Sequence, residues 1–155
     1  MGTMTSNEII GKSVEEYVAP KVDGTVMTEK HSPFDIKNHT KLFEVKSCFN
    51  LVKHRLTKAG EQQYESGRLV IYISSHARFK DEAECMGLEP LYYFVLKGRD
   101  EHTQWYSMRE KVLSWKEVDE LLKKGKLSHR YDNADHIKLR LSLIFPQLCL
   151  PAPHT

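Results

Sequence analysis

Apolar positions change their spacing along this chain, and the spacing predicts the elements. In "SNEIIGKSVEEYVAPKV" Ile10, Val14, Tyr17 and Val18 fall on one helical face, with Ser6 as N-cap and Pro20 as the end of the helix. "GTVMT" reads as a short strand. "PFDIKN" and "KLFEVKSCF" alternate and read as a hairpin turning at Asn38-His39-Thr40. "LTKAGEQQYESG" has the composition of a helix stopped by Gly67, followed by the strand "RLVIYISS" and a short helix "FKDEAECMG". The nearly unbroken run "LYYFVLK" predicts a strand covered on both faces, and "TQWYSM" a further strand. Ser114 and Glu117 form a capping box ahead of "WKEVDELLKKG", with Gly125 at its C-cap, and "HIKLRLSLIF" alternates as a last strand. The order predicts an α/β protein whose mixed central sheet is flanked by helices.

Length and composition narrow this picture. A chain of 155 residues suits one domain, with a core over about 5–145 and a Pro-containing tail, "PQLCLPAPHT", over 146–155. Hydrophobic residues make up 40% and charged residues 28%, without an apolar run long enough for a bilayer, so no membrane partner is expected. "MGTMTSNEII" has neither the basic cluster nor the apolar stretch of a secretory signal, and the expectation is an intracellular protein. Cys48, Cys85 and Cys149 are too widely spaced for a zinc knuckle and read as free thiols. Lys plus Arg exceed Asp plus Glu by only 23 to 21, so charge alone does not announce a nucleic-acid binder. Basic residues nevertheless gather in "VKHRLTK", "LLKKGKLSHR" and "HIKLRL", where they could follow phosphates or coat a solvated face.

The chemistry concentrates in "PFDIKNHTKLFEVKS". On the predicted hairpin Asp35 and Glu44 occupy neighbouring strands, within reach of one divalent cation. Lys46, two residues beyond Glu44, points to the same face and delivers an ammonium beside that cation. The carbonyl of Val45 is a further oxygen ligand. Mg²⁺ or Mn²⁺ held in this way polarises a phosphodiester and lowers the pKa of an attacking water. His31, His39, Cys48 and His54 surround the motif at spacings that match no zinc site and read as surface groups, with His31 alone placed for a phosphate contact. Tyr92, Tyr93 and Phe94 read as sheet core, and Trp115 as packing at a helix start.

These residues resemble the PD-(D/E)XK nuclease superfamily, and within it most nearly the archaeal Holliday junction resolvases. The pattern is an acid, Asp35 in "FDI", then an acid-x-lysine triplet, Glu44 and Lys46 in "FEVKS", after a helix that carries Gly11 and Glu15 in "GKSVEEYV". The resemblance covers the first helix through "RLVIYI". It implies a restriction-endonuclease-like fold and catalytic roles for Asp35, Glu44, Lys46 and Glu15, with Glu16 as the substitute for Glu15. Asp35, Glu44 and the Val45 carbonyl would be the metal ligands. Polar residues after the triplet, Gln62 or Gln63, would meet substrate, as would Ser47, His31, Lys53 and Arg55.

The expected function is a metal-dependent endonuclease that hydrolyses DNA phosphodiesters, on branched or duplex DNA. One constellation per chain implies a homodimer wherever two strands are cut. Two other classes fit the same residues: a catalytically inactive nucleic-acid-binding module of this fold, and an interaction protein whose triplet is surface charge.

Overall fold

In the computed structural model, residues 6–29, 31–99, 104–124, 127–129 and 135–146 are described, with backbone alone at 6–8, 54, 55 and 127–129. The chain runs α1 (Ser6–Val18), a 3-10 turn (Ala19–Val22), β1 (Thr25–Val26), β2 (Ile36–Lys37), β3 (Lys41–Phe49), β4 (Leu51–Leu56), β5 (Gln62–Ser66) and β6 (Arg68–Tyr72). It continues through α2 (Ile73–Met86), β7 (Glu89–Arg99), β8 (Trp105–Ser114), α3 (Trp115–Lys123), β9 (Leu127–His129), β10 (Asp135–Arg140) and α4 (Leu141–Ile144). A mixed five-stranded sheet in the order β1-β2-β3-β7-β8 forms the centre, accompanied by a three-stranded sheet β6-β10-β9 and the hairpin β4-β5. The protein is thus of the mixed α/β class.

The centre of the sheet is the parallel pair β3 and β7, in register from Lys41 opposite Glu89 to Phe49 opposite Lys97. Alternation along these strands feeds two cores. Leu42, Tyr92, Phe94 and Leu96 pack with Leu69 and Ile71 of β6, Phe79 and Ala83 of α2, and Val118 and Leu122 of α3. Phe43, Leu91, Tyr93 and Val95 face the other way, against Val14 and Val18 of α1. β7 is buried from Leu91 to Gly98, as its unbroken apolar run requires of a central strand.

Much of the predicted order holds, including the helix over residues 6–18, the hairpin turning at 38–40, the strands at 25–26, 89–99 and 105–114, and the capping box of α3. Pro20 falls where α1 passes into the 3-10 turn. The cap at Ser6, the C-cap at Gly125 and the tail beyond Pro146 lie outside what is described.

Three expectations are corrected. The segment read as a helix before Gly67 is the hairpin β4-β5, in which Val52 faces Glu65 and Lys53 faces Tyr64. Gly60 adopts φ +84°, and the Thr57 hydroxyl accepts from the Glu61 amide, so a turn interrupts any helix at that point. Gly67 is no helix stop: a Cβ there would lie 2.0 Å from the Phe49 carbonyl oxygen, and only glycine allows that approach. The helix read at "FKDEAECMG" starts earlier, at Ile73, because His76, Phe79 and Ala83 already share a buried face. The last strand ends at Arg140, after which Leu141 and Ile144 are buried from the single turn α4.

α1 is pinned to the far edge of the sheet by Glu110 of β8. That carboxylate accepts hydrogen bonds from Tyr17 at 2.7 Å, Lys21 at 3.1 Å, Ser107 at 2.7 Å and Tyr93. Trp105 adds an edge-on contact with Tyr17 and donates to the Ser13 hydroxyl. Burial pushes Glu110 up, yet the donors together overcome it and hold it at about 2. Among the described residues no helix is long and apolar enough to cross a membrane.

A folded pKa below the unfolded one adds stability that is complete above about 4.5 and lost as pH falls toward about 2. Glu110→Gln should therefore destabilise the protein at pH 7 by about 1–3 kcal/mol, read by urea unfolding, and narrow its gap to the parent below pH 4. A gap of the same size at pH 7 and at pH 2.5 would show that Glu110 contributes packing alone.

Candidate active site

The site is made by a mismatch of strand lengths. β3 pairs with β7 along its whole length, but with β2 only at Phe43 opposite Ile36 and Leu42 opposite Lys37. Continuing that register by one residue sets Asp35 opposite Glu44, where β2 has already ended. The Asp35 carboxylate takes over from the missing strand: its Oδ2 accepts the Val45 amide at 2.8 Å. A residue's N–H and C=O leave a strand on the same side, so the Val45 carbonyl also faces this open edge, away from β7.

Three stretches of chain converge here. Glu15 comes from α1, Asp35 from the end of β2, and Glu44 with Lys46 from β3. The Lys46 ammonium stands 3.7 Å from a Glu44 oxygen, both side chains being mostly buried. Burial raises Glu44 well above the carboxylate range; Lys46 pulls it down, and Asp35 and Glu15 push it up again. Glu15 is raised to about 8, first by burial and then by the charge and hydrogen bond of Asp35. Three acids thus compete for one small volume, and Lys46 beside Glu44 with Lys12 near Glu15 does not bring either glutamate back to the ordinary carboxylate range.

The donor set suits a hard cation, being oxygen only, anionic, and supplemented by a backbone carbonyl on the same edge. Among the described residues no three His, Cys, Asp or Glu side chains already stand at metal-holding spacing. The carboxylates instead lie against one another, Glu15 on Asp35 and Asp35 on Glu44. Binding an ion means exchanging the protons held between them for the ion's charge.

The other predicted residues divide. Ser47 follows Lys46 on the wall of a cleft that includes Lys46 but none of the three acids. Gln62 and Gln63 do not follow the triplet on a helix: they sit on β5, and the Gln62 amide donates to the Gln63 carbonyl at 2.8 Å. Neither belongs to that cleft wall, because the hairpin carries them away along β4. Lys53 is exposed on β4, and the side chain of Arg55 lies outside what is described. His31 is exposed, and its carbonyl accepts from Arg78 at 3.2 Å.

Sequence reading missed the wall beneath Glu44. Tyr92 lies beside Glu44 in the parallel register, and its hydroxyl is 2.7 Å from His76 Nδ1. His76 Nε2 is 3.1 Å from Asp119, and its ring stacks on Trp115 at 4.2 Å between centroids. A carboxylate only accepts, so Nε2 carries the proton and Nδ1 receives the Tyr92 hydroxyl. Burial lowers the His76 pKa and keeps the ring neutral. These residues come from α2, β7 and α3, and no spacing in the chain links them; only the aromatic character of Tyr92 and Trp115 was visible.

The acidic cluster has a pH signature. A carboxyl whose folded pKa is raised stabilises the fold below its unfolded value, and that contribution is lost as pH climbs through the folded value. Metal-free protein should lose stability between about pH 4.5 and about 8 through Glu15, with Glu44 adding in the same direction. His76 tilts the other way near its ordinary pKa, so the informative comparison is with Glu15→Gln, which leaves His76 unchanged. Thermal unfolding in EDTA should show the parent falling relative to Glu15→Gln across that window. Parallel profiles for the two proteins would mean that Glu15 titrates normally. Comparison of the chain with family models, with curated proteins and with solved structures finds no match in any of the three.

Proposed function

We propose that this protein is a metal-dependent nuclease of PD-(D/E)XK type, with a restriction-endonuclease-like arrangement of its central sheet, that hydrolyses DNA phosphodiester bonds. The observation that carries this reading is the convergence of Glu15, Asp35, Glu44 and Lys46, from separate elements, in one charge-coupled cluster at an open strand edge. The acids of an exposed triplet on an ordinary hairpin would be neither buried nor raised by one another.

The residues divide the work by their chemistry. Asp35, Glu44 and the Val45 carbonyl would hold Mg²⁺ or Mn²⁺, which when bound supplies Lewis acidity to the scissile phosphate and acidity to an attacking water. Lys46 lies on the Glu44 side of the site, donates to the attacking oxygen and offsets charge that grows on the phosphate. Asp35 is held in place by its bond from the Val45 amide, so the ligand set is partly fixed before substrate arrives. Glu15 completes the acidic wall from α1. A second copy of the chain would supply the second site wherever both strands of a duplex or a junction are cut.

The test is cleavage of labelled single-stranded, duplex and four-way-junction DNA in Mg²⁺ or EDTA. The parent should cut only with the metal. Asp35→Asn and Glu44→Ala should each lower the rate on the order of 10³-fold, the equivalent of several kcal/mol of transition-state stabilisation. Unchanged cutting by either variant would refute the site. Salt-sensitive binding with no cleavage under any metal would identify an inactive nucleic-acid-binding module instead.

A further inference from the structure

Beyond Lys46 the open edge of β3 borders a cleft of about 610 Å³, whose wall includes Lys46, Arg68, Lys97 and Lys138 together with Ser47 and Glu65. Its size lies in the roughly 300–1,000 Å³ range of small-ligand sites and leaves room for a nucleotide unit. Four cations against one carboxylate line it, and Lys97 is the member that needs an explanation.

Lys97 is only 5% exposed. Its ammonium lies 4.2 Å from the centre of the Phe49 ring, and the Arg99 guanidinium lies 3.8 Å from the same centre. Two cations thus share one ring, and among the described residues no carboxylate pairs with Lys97 and no oxygen accepts a hydrogen bond from its Nζ. Cys48 does not serve, since burial pushes its thiol up to about 12 and keeps it neutral. Burial lowers Lys97 itself to about 8, and Arg99 adds to the lowering. Every fully buried side-chain nitrogen or oxygen among the described residues has a partner, so the Lys97 ammonium, which has none, keeps a small exposure, and Lys97 is part of the cleft wall. An ammonium desolvated to this extent is costly unless a ligand supplies the missing charge.

We propose that this cleft is a phosphate-binding site for a nucleic-acid strand, with Lys97 as its buried anchor and Arg68 and Lys138 at its rim. It deepens the nuclease reading and rests on it for the identity of the strand. Lys46 belongs both to the cleft and to the acidic cluster, and Lys97 lies five residues along β7 from Tyr92, the partner of Glu44, so a strand with its scissile bond at Asp35 and Glu44 that follows this edge would bring a phosphate beyond the scissile one to Lys97. The ring of Phe49 and the close approach of Gly67 to the Phe49 carbonyl fix the floor on which Lys97 lies.

The test is made in EDTA, so that it reads binding alone. A fluorescein-labelled oligonucleotide is titrated with parent, Lys97→Met and Lys97→Arg by anisotropy over a range of salt, and the thermal shift given by inorganic phosphate is measured for each. Lys97→Met should weaken oligonucleotide binding about tenfold, lower the slope of log affinity against log salt by about one, and abolish the phosphate shift. Lys97→Arg should retain most of the affinity. Removing an uncompensated buried charge should leave Lys97→Met at least as stable as the parent.

Parental affinity and salt slope in Lys97→Met would overturn the proposal. So would a parent protein that neither binds the oligonucleotide nor responds to phosphate. A loss of affinity and stability together, unrescued by arginine, would make Lys97 a packing residue on Phe49 and overturn it too. Should Lys97→Met fail to fold, Lys138→Ala and Arg68→Ala read the same cleft, and parental binding in both is the contrary result. Lys97-dependent phosphate binding without cleavage would sink the nuclease reading and keep this site, whereas cleavage that Lys97→Met leaves untouched would do the reverse.

Discussion

Everything at the candidate site depends on β2 being too short for β3. A strand paired on both sides has no backbone group left for other uses, but β3 beyond Phe43 is paired with β7 alone. Its other edge presents the Val45 amide and carbonyl, then the stretch through Ser47 to Phe49 that borders the cleft. Exposed strand edges are a hazard in most proteins, normally blunted by charge or by a covering segment. This protein covers the first part with an aspartate side chain and leaves the next as the wall of a basic cleft. The acidic cluster and the basic cleft are consecutive parts of one unpaired edge.

The parallel pairing of β3 with β7 adds a second constraint. Parallel neighbours need a long crossover, and here it consists of the β4-β5 hairpin, β6 and α2. That crossover sets β6 beside the open edge and brings Arg68 into the cleft, while β10, paired to β6, brings Lys138. Two of the four cations in the cleft therefore come from the accompanying three-stranded sheet, and two from the central one.

The hairpin from Asp35 to Lys46 was legible because its signals are local. A two-residue period, a turn at Asn38-His39-Thr40 and an acid-x-lysine triplet all fall within fifteen residues, and the register follows from them. The helix carrying Glu15 was legible from its apolar stripe. Composition misled where the true signal was a turn: "LTKAGEQQYESG" is rich in helix formers, yet Gly60 and the Thr57 hydroxyl fix a hairpin, and Gln62 and Gln63 leave the site with it. What no local pattern could supply was the tertiary company of single residues. Lys97 stands in the apolar run "YYFVLKGR" as a charge among core residues, and only the fold shows that it lies on the Phe49 ring with no carboxylate partner among the described residues. His76 and Asp119 are 43 positions apart and meet through the packing of α2 against α3.

Glu110 gives an internal standard for judging the acidic cluster. It is what a structural carboxylate looks like in this protein: donors from α1, β7 and β8 converge on it and hold it at about 2, ionised and tied to its neighbours. Glu15 and Glu44 are the opposite case. They are buried beside other acids and raised instead of lowered, despite Lys46 beside Glu44 and Lys12 near Glu15. As structure such an arrangement is a liability, since each ionised form repels the next in surroundings that screen it poorly. Folding tolerates it because Asp35 is fastened by the Val45 amide and because the hydrophobic layers on both faces of the sheet supply the stability elsewhere. Carboxylates that do not help the fold, kept together at an edge where backbone is open and next to a cleft lined with cations, are the observation on which the proposed site rests.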